Sequence, residues 1–159
     1  MSKTLMTRQW GELEIADDQV IQMPDGLLGF EDLHRFAFLD VEEFRPFTWF
    51  VSLDDPELSF AVADPQCFHA APYPISLSEA DENMLDLEPG DPIAVFVITA
   101  VGAQGQVTGN LKGPIVLNTR NRLAKQIVTY GSSLSIRQPI LNHEIVPLQS
   151  AVAPKGAGV

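Results

Sequence analysis

A chain of 159 residues with 45% apolar side chains and one cysteine, Cys67, has the length of a single domain, buries roughly 68–70% of its unfolded surface and cannot form an internal disulfide. Its formal net charge of −11 repels phosphate backbones and favours basic partners over direct nucleic-acid contact, within the roughly 8–10 Å that physiological salt allows. The N-terminal MSKTLMTRQW lacks the apolar core of a secretory leader, and the longest apolar run, Ile93 to Val101, is strand-like and well short of a membrane span, so a cytoplasmic protein with no membrane contact is expected.

Charge is divided unevenly. Residues 1–100 hold 20 acidic side chains against Lys3, Arg8, Arg35 and Arg45, whereas residues 101–159 hold Glu144 against six basic ones. Along the chain the apolar pattern has a period near two, with turn signals every eight to twelve residues, which predicts an all-β, mainly antiparallel, small β-barrel-like single domain with one or two short helices. Predicted strands are Arg8–Ile15, Gln19–Met23, Arg35–Asp40, Phe47–Leu53, Ser59–Asp64, Ile93–Val101, Gln106–Leu111, Pro114–Asn118, Ala124–Thr129 and Leu134–Arg137. Gly102 to Gly105 supplies a hairpin turn. One helical turn is expected at Glu31–His34, and Ser78-Glu79-Ala80-Asp81 has the form of a capping box opening a short acidic helix that Pro89-Gly90 must end. No repeat or linker divides the chain, so one domain is expected over residues 1–143 and a partly disordered tail over 144–159.

The most informative stretch is FTWFVSLDDPELSFAVADP, Phe47 to Pro65. Two aromatic and β-branched runs flank Asp54-Asp55-Pro56-Glu57, where proline pre-sets φ for a turn and the aspartates can bond nearby amides. A strand, a tight acidic corner and a second strand follow. These residues, WFVSLDDPELSF, resemble the aromatic-x-x-Ser-Leu-acid-Asp-Pro-Glu-Leu-x-Phe signature of the flagellar assembly factor FliW family. Two further blocks agree in order and spacing: WGELEIADDQVIQMPDGLLGFEDLHRF (Trp10 to Phe36) and GNLKGPIVLNTRNRLAKQIV (Gly109 to Val128). The likeness spans roughly residues 7–140. Trp10 stands where the family usually has Phe, Leu28 where Pro is common, Gly113 where Ala is common, and Leu134-Ser135 where a Tyr is often found.

The resemblance implies a non-enzymatic protein without a cofactor. Members of that family bind the RNA-binding translational repressor CsrA and bind flagellin, and the two partners switch: free flagellin occupies the factor, and secretion of flagellin frees it to sequester CsrA. A monomer is expected when no partner is bound. The motif positions Asp54, Asp55, Glu57, Phe60, Asn110, Lys112 and Pro114 are the candidate partner contacts. Asp54, Asp55 and Glu57, charged and at a turn, are the stronger of these; Phe60 and Pro114 fit structural roles better.

Other chemistry is weaker in the sequence. An Asp-Asp-Pro-Glu turn is more often a solvated corner than a cation or acid–base site. Cys67 and His69 lack a second ligand cluster at metal-site spacing and read as a buried thiol and a surface imidazole. The glycines at 102, 105, 109 and 113 match no phosphate-binding fingerprint. Arg120, Arg122 and Lys125 form the one basic cluster, but without stacking aromatics they read as solvated positions between strands. The competing hypothesis is a small β-barrel enzyme or ligand carrier with a pocket lined by Trp49, Phe60 and Tyr73.

Overall fold

The computed structural model describes residues 2–69, 73–129 and 134–141; the predicted tail 144–159 lies outside them. Within these residues the chain forms eleven strands: β1 Ser2–Thr7, β2 Gly11–Ala16, β3 Ile21–Gln22, β4 Arg35–Leu39, β5 Thr48–Ser52, β6 Ser59–Ala63, β7 Ile93–Val101, β8 Val107–Gly109, β9 Ile115–Asn118, β10 Leu123–Gln126 and β11 Gln138–Pro139. The helix α1 spans Glu79–Met84.

Seven strands close on themselves. The order β7-β6-β5-β4-β3-β10-β9 returns to β7 through a β7–β9 ladder. All pairings in this ring are antiparallel except β3 with β10, where Leu123 faces Gln22. The first half of β7 pairs with β9 and its second half with β8. Residues 110–114 therefore form a step that interrupts one long line of pairing. Beyond the step β11 covers the free side of β8, and Pro139 is tolerated because this is a sheet edge.

Both faces of the central strands are buried, which is why their sequences are continuous apolar runs rather than alternating ones. On the inner face Phe36, Phe50, Val62, Phe96, Ile115 and Leu117 fill the ring. Phe36 and Phe50 stack with centroids 4.4 Å apart. On the outer face Ala37 and Val51 are covered by Leu5, Trp10 and Ile15 of the β1–β2 hairpin. Each large side chain buried in this way contributes about 1.5–3 kcal/mol.

Several boundaries differ from the sequence expectation. Strand β1 was not predicted: only Leu5 and Thr7 turn inward along it, too little apolar signal to register. The expected strand Arg8–Ile15 begins only at Gly11, because Thr7 Oγ1 accepts from the Trp10 amide and donates to Gly11 O, closing a turn with Gly11 at φ +72°. The expected helical turn at Glu31–His34 is a single hydrogen-bonded turn, Leu33 N donating to Phe30 O at 3.1 Å, that does not continue as a helix before β4. The capping box is present, with Ser78 Oγ and the Asp81 amide 3.0 Å apart and Asp81 Oδ2 accepting from Ser78 N. The helix stops at Met84, ahead of the predicted Pro89 stop, because Asp86 takes φ +49°. The last strand lies at Gln138–Pro139 instead of Leu134–Arg137.

Candidate protein-binding face

The acidic corner is the β5–β6 turn. Leu58 N donates to Asp55 O, and Ser52 Oγ accepts from the Asp55 amide, so the hydroxyl and proline of Ser-Leu-Asp-Asp-Pro set the turn locally. Asp54 spends both oxygens on its own fold. Its Oδ2 accepts from the His34 amide at 2.6 Å and the Arg35 amide at 3.0 Å, and Oδ1 accepts from Arg35 Nε at 2.9 Å. Burial alone would raise its pKa, but these donors outweigh it and hold the carboxyl below the usual range. Asp55 accepts from the Glu57 amide at 3.1 Å. Glu57 is exposed and meets Arg8 at 3.3 Å, a pair of little energetic weight. Asp55 and Glu57 thus remain the acids of the corner that are available to a partner.

Phe60, next along β6, packs edge to face on Phe30 with centroids 5.2 Å apart. Phe30 belongs to the Gly26–Glu31 loop, in which Gly26 takes φ +66° and any Cβ there would meet backbone oxygens at 2.7 Å. The same loop presents Leu28, 71% exposed. Leu28 N donates to Gln126 Oε1 at 2.8 Å, and Gln126 Nε2 donates to Gly113 O at 3.0 Å. The step at residues 110–114 is thereby tied to the loop at 26–31. A groove of 280 Å³ results, lined by Leu28, Asn110, Lys112, Gly113, Val128 and Ile136 among others. Leu28, Val128 and Ile136 leave apolar surface in solvent along it.

The structure accordingly brings the predicted residues to one face in two groups. Asp54, Asp55, Glu57 and Phe60 sit at the corner, and Asn110 and Lys112 line the groove, with Phe30 and Leu28 bridging them. Asn110 Oδ1 accepts from the Lys112 amide at 3.0 Å and shapes the step. Pro114 is buried beneath it. Leu28, Phe30, Gln126, Val128 and Ile136 were not singled out from sequence. Leu28 and Phe30 lay in a quoted motif, but their exposure was not legible there.

The other candidates resolve individually. Trp49, Phe60 and Tyr73 do not line one pocket: Trp49 packs on Trp10 and Phe44, Phe60 on Phe30, and Tyr73 in a third cluster where its hydroxyl donates to Leu111 O. Burial pushes the Tyr73 phenol up to about 12. Cys67 is half-buried rather than buried, and burial, followed by Asp64, raises its thiol pKa. His69 stacks edge to face on Tyr73. The Nδ1 of His34 lies 3.2 Å from Met23 O. Among the described residues no group of three or more His, Cys, Asp or Glu side chains is placed to hold a metal. The basic cluster is paired, not merely solvated: Arg120 holds Asp91 at 2.9 Å, Lys125 meets Asp25 and Asp81, and Arg122 donates to Gln19 O. Among the described residues no helix is long and apolar enough to cross a membrane.

Comparison with known proteins gives the family. The family profile described as FliW protein matches residues 4–140. The flagellar assembly factor FliW of Geotalea uraniireducens (strain Rf4) is 40% identical over 135 residues, covering 84% of this chain and 81% of that protein. That of Geobacter sulfurreducens is 36% identical, covering 86% and 85%. A crystal structure of the flagellar assembly factor FliW superposes with a TM-score of 0.79 at 26% identity, covering 90% of this chain and all of the other. With its profile matched from residue 4 to residue 140 and relatives 36–40% identical over more than four fifths of its length, the chain belongs to the FliW family of flagellar assembly factors.

Proposed function

We propose that this protein works in flagellar assembly by binding, not catalysis: it sequesters the translational repressor CsrA in the cytoplasm and exchanges it for flagellin. The observation that carries the reading is the convergence of Asp55 and Glu57, the Phe30–Phe60 contact and the Leu28–Lys112 groove on one face. An apolar strip flanked by acids suits a protein partner, with aromatic and aliphatic anchors inside and charge at the rim. An acidic protein docked beside an RNA-binding repressor also disfavours a phosphate backbone by like-charge repulsion.

The test is calorimetric titration of the full-length protein with the CsrA of its own organism, repeated after saturation with flagellin. CsrA binding that flagellin abolishes is the expected result. Failure of both partners to bind overturns the reading.

A further inference from the structure

The other end of the barrel is open. Because β4, β5 and β6 run antiparallel, their ends at Leu39, Thr48 and Ala63 lie together, a strand's length of about 13–17 Å from the acidic corner. The β6–β7 ladder consists of Val62 facing Ile98 and Ala63 facing Val97, so the two strands part beyond Ala63. In the gap is an open hollow of 730 Å³, within the roughly 300–1,000 Å³ of ligand sites. Its floor is the core itself: Phe38 and Phe96, edge to face at 5.1 Å, and Val62. Its rim carries Asp40, Arg45 and Asp64.

The rim charges are unbalanced. Arg45 closes on Asp40 through two bonds, Nη2 to Oδ2 at 2.6 Å and Nε to Oδ1 at 3.1 Å. Asp64 has no cation within ion-pair distance among the described residues; one of its oxygens accepts from the Gln66 amide at 2.8 Å. Glu42, 3.9 Å from Arg45, adds further negative charge. An apolar floor under a net negative rim selects an occupant that is greasy at one end and cationic beside it.

We propose that this hollow is a second docking site, separate from the motif face, which takes one bulky aliphatic or aromatic side chain from a protein segment carrying an adjacent arginine or lysine. The anchor side chain covers Phe38, Val62 and Phe96, and the neighbouring cation faces Asp64. The site does not depend on which partners occupy the motif face.

The test is a ¹⁵N-resolved NMR titration of the full chain with three capped dipeptides: acetyl-Leu-Arg-amide, acetyl-Leu-Glu-amide and acetyl-Gly-Arg-amide. The Leu-Arg probe is expected to shift the amides of Phe38, Thr48, Val62 and Asp64 and to bind about threefold or more tighter than the Leu-Glu probe, as expected for a partly exposed ion pair. Asp64→Asn, which keeps an acceptor for the Gln66 amide, should bring these two probes to equal affinity. Thr48→Trp, which fills the hollow, should remove both. No shifts at these amides, or equal affinity of the two probes for the unaltered protein, overturns the proposal. A Gly-Arg probe that binds as tightly as Leu-Arg overturns the anchor.

Discussion

The side chain of Gln126 holds Leu28 in place across 98 residues of sequence: Oε1 accepts from the Leu28 amide while Nε2 donates to Gly113 O. One amide side chain thus joins the loop that presents Leu28 to the step that presents Lys112. Gln126→Ala removes both bonds and should cost about 1–2 kcal/mol, lowering Tm by about 2–4 °C per kcal/mol. Gln126→Glu should cost more, because a carboxylate oxygen then faces the Gly113 carbonyl. Thermal melts of the two variants check this order.

Gly26 and Gly29 both take positive φ, but only Gly26 is crowded. A Cβ on Gly26 would lie 2.7 Å from the carbonyl oxygens of Phe30 and Glu31, whereas nothing lies within 4 Å of one on Gly29. Gly29→Ala should cost about 1–2 kcal/mol of left-handed backbone strain. Gly26→Ala should cost clearly more, since backbone must also move, and on the proposed function the displaced Leu28 and Phe30 should weaken CsrA binding. Chemical denaturation of both variants and a binding titration of Gly26→Ala measure this; equal stability losses would show that the crowding is relieved elsewhere.

Asp54 confers a pH dependence with a definite sign. Its folded pKa is lowered, so its contribution is present above the unfolded carboxyl pKa of about 3.9 and is lost as pH falls through that value towards the folded one. Asp54→Asn should cost about 1–3 kcal/mol near pH 7, from lost charge-assisted bonds. The gap between variant and parent should narrow below about pH 4. Urea midpoints at the two pH values decide it, and a gap independent of pH would assign the loss to geometry rather than charge.

On the proposed function, changes at Asp55 and Glu57 should separate binding from stability. Among the described residues the Glu57 side chain has the exposed Arg8 pair and the Asp55 side chain a turn bond, so the double change Asp55→Lys with Glu57→Lys should shift Tm by no more than a few degrees. On the proposed function, CsrA affinity should fall, on the order of tenfold and mainly through slower association, as for rim charges, and the loss should shrink at high salt. Unaltered affinity removes the corner from the interface.

Much of the ring was legible in the residues, because β4 to β7 and β9 are runs of aromatic and β-branched side chains bounded by turns, and the Asp54-Asp55-Pro56 corner and Ser78 cap act through neighbours a few residues away. Local chemistry of this kind needs no distant partner. Tertiary structure alone decided three things. It placed β1, whose inward positions gain meaning only against Ala37 and Val51. It tied Asp54 to its own fold at the surface, since the donors that occupy it, His34 N and Arg35, come from the start of β4, about 20 residues away. It assembled the Leu28–Gln126–Gly113 link from segments about 98 and 13 residues apart, and no periodicity in one segment can encode a hydrogen bond completed by another.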